Sequence, residues 1–548
     1  MEARTQILIV MIAYLSLLIL WGLYQGRKVK TDADYAIAGR KLPGWAAALS
    51  ERATGESSWA LLGLPGAAYA TGLTEIWTAI GCVAGIITAW AVIAWRLRDA
   101  SAKYEVNTFT EFIAKKHGEF GKWIRIVGSL TIIFFFFFYV GAQFLGGGKT
   151  LHSMFGIDPY LGMLLTAVII VPYTIYGGFR SVVYTDVIQA IVMIIALILG
   201  PIIGILYISN HPDVFAHSIG AALEQAGTDY SSLTGAAKGF SAGIIIAGGF
   251  SWFFGYLGGQ PQLSMRFMAI SDSRQAKKAR NIGIVWTIIA YIGALCIGWI
   301  GLAIFGPHGL ADQEYVMPEV FLKIFPPIVA AILITGAIAA MISTADSLLI
   351  LSSSELSENI IKPAFNKDNV RKKALMHSRL ITALLAVVAL GLAYISPSDM
   401  IYTIVGYVWA GIGSTFSVVI ILTLFWKKYH GRAAVLTIVS GLLFTIIWFS
   451  TGMEKHFMIT EETIASMEME KIPAKEIAKV GQLQDIRFNS SGNFDEALED
   501  ALGSEAYTEY AGVIKRNASI HGISARMMTF IVAMIVAVLS TYLIRKKE

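Results

Sequence analysis

Ser343, Thr344, Asp346 and Ser347 lie in the stretch "AAMISTADSLLILSSS", Ala339–Ser354. Ser343, Asp346 and Ser347 fall at i, i+3 and i+4, which is one face of a helix. Hard cations take oxygen ligands from hydroxyl, carboxylate and carbonyl groups. This face supplies the first two kinds, inside a segment that is otherwise apolar. A hydroxyl on such a helix also satisfies itself on its own backbone, so each one alone has a structural reading beside the ion-binding one. Asp346 is harder to explain structurally. A second intramembrane acid, Asp186 in "VVYTDVIQA", is placed to face it across a bundle. Two buried carboxylates with no basic residue in their own spans invite a cation.

Two further stretches bear on the same chemistry. "SERATGESSWALLGLPG", Ser50–Gly66, holds Glu51, Arg52 and Glu56 between apolar runs. Arg52 and Glu56 are spaced to pair on one helical turn, and Glu51 is free to face an aqueous vestibule. A buried structural ion pair and a part in an ion or solute site both fit these charges. Gly55, Ser57, Ser58, Gly63, Pro65 and Gly66 weaken the helix and favour an unwound segment. Unwound backbone at membrane depth is tolerated where it is buried in protein or lines a cavity, and it frees carbonyls for a cation and amides for a carboxylate. "GGFSWFFGYLGGQPQLSMRFM", Gly248–Met268, is interrupted in the same way by Gly248–Gly249, Gly258–Gly259 and Pro261. Paired interruptions in the two halves of a chain point to a transporter's binding site. Here they are five spans apart.

The elements that must hold these residues are transmembrane helices. The chain has 548 residues, of which 55% are hydrophobic and 15% charged, with a mean hydropathy of +0.62. Soluble proteins carry about 25% charged residues. Eleven runs nearly free of charge recur: Gln6–Gly26, Trp77–Trp95, Ile124–Gly148, Tyr160–Phe179, Val187–Asn210, Ile282–Gly306, Pro326–Thr344, Ile381–Pro397, Ile401–Trp426, Ala433–Gly452 and Met527–Ile544. Most reach the ~17–25 residues that span a bilayer. With the two broken segments, Trp45–Gly72 and Gly239–Pro261, thirteen spans are expected.

Alternate loops hold the basic residues, among them Arg27–Lys30, Arg96–Lys103, Arg274–Arg280, Arg371–Lys373, Lys427–Arg432 and Arg545–Lys547, while the intervening loops are nearly bare. Cytoplasmic loops carry the excess of Lys and Arg, which puts the N-terminus outside and the C-terminus in the cytoplasm. The exception is residues 453–524, a polar extracytoplasmic insertion whose pattern suggests short amphipathic helices. The net charge of +5 lies in short loops and calls for no nucleic acid. No Walker A sequence, HExxH motif, Cys/His cluster or nucleophile–base pair is present, so an ATP-driven pump and an enzyme are both disfavoured. Cys82 and Cys296 sit inside apolar spans as small packing residues.

Seven stretches, "DYAIAGRKLPGW", "SSWALLGLPGAAY", "TEIWTAIG", "YTIYGGFRSVVYTDVIQA", "GGQPQLSMRFMA", "AAMISTADSLL" and "YVWAGIGS", occur in the order found in the sodium/solute symporters. Over Asp34–Trp426 the chain resembles that family, and within it the bacterial sodium/proline symporters most closely. The resemblance implies an all-α membrane protein with two LeuT-type inverted five-helix repeats, residues 43–210 and 236–428. Around them would lie an extra N-terminal helix in 1–30, a helix at 431–452, the insertion, and a last helix with a basic tail in 525–548. It implies a sodium site made of the carbonyls of Ala53, Glu56 and Ala340 and the hydroxyls of Ser343 and Thr344. The positions matching a second sodium are Asp186, Ser343, Asp346 and Ser347. Solute would bind near mid-bilayer beside Ser57, Trp59, Tyr139, Gln143, Trp252 and Tyr256, with Pro261 and Tyr407 as weaker candidates. One departure stands out: proline symporters carry an aspartate one position before Glu56, where this chain has Gly55.

The expected function is therefore sodium-coupled import of a small organic solute, proline or a related amino acid, by alternating access in the plasma membrane, the bacterial inner membrane above all. The partners are sodium, the solute and the bilayer, and nothing in the sequence fixes an oligomeric state. Two alternatives remain: a sodium symporter for a monocarboxylate, sugar or sialic acid, and a solute sensor on a transporter frame. The sensor would bind solute without concentrating it.

Overall fold

Proline, glycine and a few capping side chains set the limits of a chain that is otherwise almost wholly helical. The computed structural model describes residues 3–118, 120–235, 237, 240–307, 309–364, 374–396, 400–453, 455–484, 486 and 491–544. The basic stretches Arg371–Lys373 and Arg545–Lys547 lie outside them. Among the described residues, ten helices are long and apolar enough to cross a membrane: Arg4–Gly26, Gly44–Lys103, Gly121–Phe155, Thr174–Asn210, Ser273–Phe305, Pro327–Ile361, Met376–Tyr394, Ile401–Phe425, Gly431–Ser450 and Ala525–Leu543. Shorter apolar helices cover Pro159–Pro172 and Ala242–Gly255. Gly44–Lys103 is interrupted at Gly72 (φ 64°, ψ −129°), and the helical run Pro159–Asn210 at Gly178 (φ 62°, ψ −176°).

Helix starts follow side-chain chemistry. The Asp158 carboxylate accepts the amides of Tyr160 and Leu161, and that of Asp272 accepts the Gln275 amide at 2.8 Å. The Thr108 hydroxyl accepts the Glu111 amide at 3.2 Å. Each satisfies amides that a helix leaves without an internal partner.

Burial separates centre from periphery. In Pro327–Ile361 and Ile401–Phe425, 83% of the most apolar window is buried; in Arg4–Gly26, Met376–Tyr394 and Ala525–Leu543 the share is 28%. The outer helices turn large apolar side chains such as Leu20, Leu380 and Leu539 away from protein, as lipid-facing helices must. Pro327–Ile361, which carries the hydroxyl-and-acid face, is thus at the core. It packs against Gly121–Phe155, the run Pro159–Asn210 and the first broken segment.

The described residues between 455 and 518 form a small body with a core of its own. Helices Glu461–Met469, Ala474–Val480, Ser491–Leu502 and Ser504–Ala518 enclose Phe457, Met467, Val480, Phe494, Leu498 and Ile514. Strands Lys455–Phe457 and Ser519–His521 pair antiparallel at its neck. The amphipathic pattern read from this stretch therefore corresponds to short helices around a core of their own.

Candidate functional site

The first broken segment loses its helix at Ser57, with φ 27° and ψ −159°. A wide π-helical turn follows over Trp59–Gly63, then the helix Leu64–Thr71. The groups freed by the break are used locally. Trp59 Nε1 donates to the Gly55 carbonyl at 3.0 Å, and the Trp59 amide donates to that of Glu56. The Ser58 amide donates to Gln143 Oε1 at 3.1 Å, and the Ser57 hydroxyl lies 3.0 Å from that of Tyr139. Four of the residues named from the sequence for solute thus meet at the break.

The second broken segment runs as a helix to Gly255, leaves helical geometry over residues 256–260, and resumes at Pro261–Ala269. Gly258 has a φ of 80°, a conformation that suits glycine. Gly259 lies so close to the Trp409–Ser414 turn that a Cβ would sit 2.1 Å from the Gly413 carbonyl oxygen. Between the two breaks the aromatic side chains form a cage. Trp59 and Trp252 stack at 4.5 Å. Trp409 lies edge-on to Tyr139 at 5.2 Å and 5.5 Å from Tyr256. The Tyr256 and Tyr291 hydroxyls are 3.2 Å apart. Around this cage Ser58 Oγ, Trp409 Nε1 and Gln260 Nε2 are buried without a hydrogen-bond partner. Buried polar groups are nearly always paired, so these three are suited to a polar ligand.

The charges of the first segment are fully internal. Arg52 bonds Glu51, pairs with Glu56 at 2.9 Å and donates to Thr287 Oγ1 at 3.0 Å. Glu51 also accepts Trp90 Nε1 at 3.0 Å. Glu51 therefore does not face a vestibule; an indole and a guanidinium hold it inside the bundle, which is what a buried carboxylate requires.

On the facing helix, Thr344 Oγ1 lies 3.1 Å from the Thr54 carbonyl and 3.1 Å from the Ala340 carbonyl. One hydroxyl thus bridges the central helix and the first broken segment, beside Ala53 and two residues before Glu56. Ser343 Oγ donates to Asp186. Asp186 also accepts Ser50 Oγ at 2.5 Å and pairs with Arg266 at 3.0 Å. Arg266 reaches Ser347 Oγ at 2.6 Å and Thr54 Oγ1 at 2.8 Å. Asp346 accepts the Thr174 hydroxyl. The two acids thus have different partners. The basic partner that the spans of Asp186 and Asp346 lack arrives for Asp186 from the second broken segment.

Sequence reasoning did not name Arg266, Trp409, Tyr291 or Arg526. The first two stand within quoted stretches, "GGQPQLSMRFMA" and "YVWAGIGS", where a basic and an indole side chain in apolar surroundings were the available signal. Arg526, at the start of the last helix, holds its guanidinium 4.3 Å over the Trp252 ring and donates to Ser251 Oγ at 3.1 Å.

Comparison with known proteins bears on the family and the fold. A family model described as the sodium:solute symporter family matches residues 35–441. The osmoregulated proline transporter of Bacillus subtilis strain 168 is 34% identical over 454 residues, covering 82% of this chain and 90% of the relative. The high-affinity proline transporter of the same organism is 34% identical over 80% of this chain and 90% of its own. Sodium/proline symporter 2 of Staphylococcus saprophyticus is 33% identical over 82% and 86%. Among solved structures, a substrate-bound, outward-open sodium-coupled sialic acid symporter superposes with a TM-score of 0.70 over 99% of each chain at 17% identity. That likeness shows a shared fold.

Proposed function

The chain belongs to the sodium:solute symporter family, and we propose that the solute it couples to sodium is proline or a closely related amino acid. Family membership makes it a sodium-driven, multi-pass membrane transporter and not an enzyme. The relatives named above as proline transporters support the choice of solute. One observation carries the reading: the aromatic cage and the Thr344 bridge meet at the same helix break. A compact apolar ring fits between indole and phenol faces, and the unpaired donors Trp409 Nε1 and Gln260 Nε2 suit a carboxylate. Solute would be enclosed by Ser57, Trp59, Tyr139, Gln143, Trp252 and Tyr256.

Sodium would be held by the carbonyls of Ala53, Glu56 and Ala340 and the hydroxyls of Ser343 and Thr344. Thr344 already spans the two elements that this ion must join. A second sodium would draw on Asp186, Ser343, Asp346 and Ser347, and at Asp186 it must compete with Arg266. Sodium favours the outward form only by binding it more tightly than the inward form. Tethering the broken segment to the central helix supplies that difference, because the tether completes the solute cage.

The architecture that goes with this reading has thirteen spans, an outside N-terminus and a cytoplasmic C-terminus. Residues 43–210 and 236–428 are its inverted repeats, with the flanking helices and the extracytoplasmic body 453–524 around them. The helix breaks at Ser57 and at residues 256–260, one in each proposed repeat, support it. The membrane is the bacterial inner membrane.

Reconstitution into proteoliposomes tests the reading. An inward sodium gradient should accumulate labelled proline above its equilibrium level, and unlabelled amino acids should compete better than sugars, monocarboxylates or sialic acid. Binding without accumulation would make the protein a sensor. Competition by another solute class alone would replace proline.

A further inference from the structure

A second oxygen cluster lies far along the central helix from Thr344. Glu355 stands at the end of Pro327–Leu356, and Asn359 lies one turn on, in the π-helical turn Ser357–Ile361. Thr108 and Thr110 come from the start of the helix Phe109–His117, and Ser129 from Gly121–Phe155. All five side chains are buried. Residues 344 and 355 are separated by about 16 Å of helix rise, so this cluster is distinct from the sites discussed above.

Glu355 is surrounded by neutral donors. Its Oε1 accepts the Thr110 amide at 3.2 Å. Its Oε2 accepts the Thr110 hydroxyl, the Ser129 hydroxyl at 2.8 Å and Asn359 Nδ2 at 2.6 Å. Among the described residues no Lys, Arg or His contacts it; the next basic residue on the chain, Lys362, pairs with Glu358 at 2.5 Å. A buried carboxylate with no counter-charge is costly.

The geometry around Asn359 indicates what is missing. Four oxygens converge on its Nδ2: Glu355 Oε2 at 2.6 Å, Thr110 Oγ1 at 2.7 Å, Thr108 Oγ1 at 2.8 Å and Ser129 Oγ at 3.1 Å. An amide nitrogen has two hydrogens, so it cannot serve four acceptors. Meanwhile Asn359 Oδ1 is buried and has no partner. Glu355 Oε2, Thr110 Oγ1, Thr108 Oγ1 and Ser129 Oγ thus surround the point that Nδ2 holds. The two ends of the amide have nearly the same shape, so a side chain drawn back from that point with Oδ1 turned inward would add a fifth oxygen, and the five together carry a single negative charge. That is the donor set of a hard cation, and one charge balances a monovalent ion where a divalent ion would overshoot.

We propose that Thr108, Thr110, Ser129, Glu355 and Asn359 form a binding site for a monovalent cation, sodium, separate from the sites at Thr344 and Asp186. In the present arrangement the Asn359 amide nitrogen occupies the cation's position. Ion entry displaces the amide from that point and turns Oδ1 toward the ion. The site stands whatever solute the chain carries.

The test is radioactive sodium binding to the full-length purified protein, with potassium holding ionic strength constant. Glu355→Gln should remove about one bound sodium per chain at concentrations that saturate the wild type. In a Ser343→Ala/Thr344→Ala background, residual sodium binding should remain, and Glu355→Gln should abolish it. Single Ser129→Ala and Thr108→Ala variants leave the charge in place and should weaken that residual binding by about tenfold, on the scale seen when groups supporting a bound metal are lost. They keep the proposal testable if Glu355→Gln does not fold. Sodium binding unchanged by Glu355→Gln, or by both hydroxyl variants, overturns the site. So does a Glu355 that binds a proton alone, seen as pH-dependent behaviour with unaltered sodium stoichiometry. None of these results bears on whether the chain carries proline.

Discussion

Trp59 and Trp252 stack with ring centroids 4.5 Å apart and planes 9° from parallel, one indole from each broken segment. Trp409 stands against both, at 6.3 and 5.9 Å. The pair joins the two interruptions of the fold through its side chains, so the distance between the breaks is read directly at the aromatic cage proposed for the solute. Aromatic pairs contribute about 0.5–1.5 kcal/mol beyond the area they bury. Trp252→Ala should therefore raise the half-saturating solute concentration by roughly tenfold, from that loss and the lost wall together. Trp252→Phe should raise it less. Initial uptake rates at saturating sodium check this. Equal values for Trp, Phe and Ala at position 252 would take the indole out of the cage.

Thr344→Ala removes the hydroxyl 3.1 Å from both the Thr54 and Ala340 carbonyls. Losing one partner of a charged group costs about 1.5–3 kcal/mol, so the half-saturating sodium concentration should rise by about tenfold or more. Thr344→Ser keeps the oxygen and should stay near the wild type. Uptake measured against sodium at fixed solute makes the comparison. An unchanged sodium curve in Ser343→Ala/Thr344→Ala would remove this face from the coupling site.

The helical segments and both interruptions were legible in the sequence because their signals are local: charge-free length, and Gly and Pro where helix is weakest. The convergence of Ser57, Trp59, Tyr139 and Gln143 was legible through the family resemblance. The partners of the buried charges were not. Arg266 lies 80 positions from Asp186, and Trp90 lies 39 from Glu51. Periodicity tells which face of a helix a residue occupies, but nothing about which distant side chain will complete it. Asp186 and Asp346 have no basic residue in their own spans, and only the fold shows that Asp186 meets the Arg266 guanidinium and Asp346 the Thr174 hydroxyl.

Arg266 and Asp186 should behave as a coupled pair. Removing one member of a buried ion pair costs about 3–5 kcal/mol, since the other charge is left in a poor medium. Arg266→Ala should lower the thermal unfolding midpoint of the purified protein substantially. Arg266→Ala/Asp186→Asn should recover part of the loss, because the stranded charge is gone. A double variant no more stable than Arg266→Ala would show that the 3.0 Å contact carries no such coupling.

Asp346→Asn keeps the shape of a side chain buried beside Thr174 and removes its charge. If the acid takes part in a second sodium site, the ratio of sodium to solute transported should fall, or sodium affinity should drop. Parallel fluxes of labelled sodium and solute measure the ratio directly. A ratio and an affinity both equal to wild type assign Asp346 to packing and hydrogen bonding alone.

Arg526 offers a test of how far the proposed solute site extends beyond the residues that match the family. It lies past residue 441, where the family match ends, yet its guanidinium lies 4.3 Å over the Trp252 ring. Its Nε bonds Ser251 at 3.1 Å, so the last helix braces the indole from the side away from Trp59. A cation over an aromatic face contributes about 0.5–2 kcal/mol, more when desolvated. Arg526→Ala should therefore weaken apparent solute affinity about three- to tenfold and leave the sodium curve close to wild type, because Thr344 is untouched. Arg526→Lys keeps the charge but loses the planar fork that reaches Ser251 and the indole together. An intermediate affinity is expected for it. If Arg526→Ala shifts sodium and solute dependence equally, the residue acts on the whole conformational equilibrium instead of on Trp252, and the brace would have to be assigned to gating.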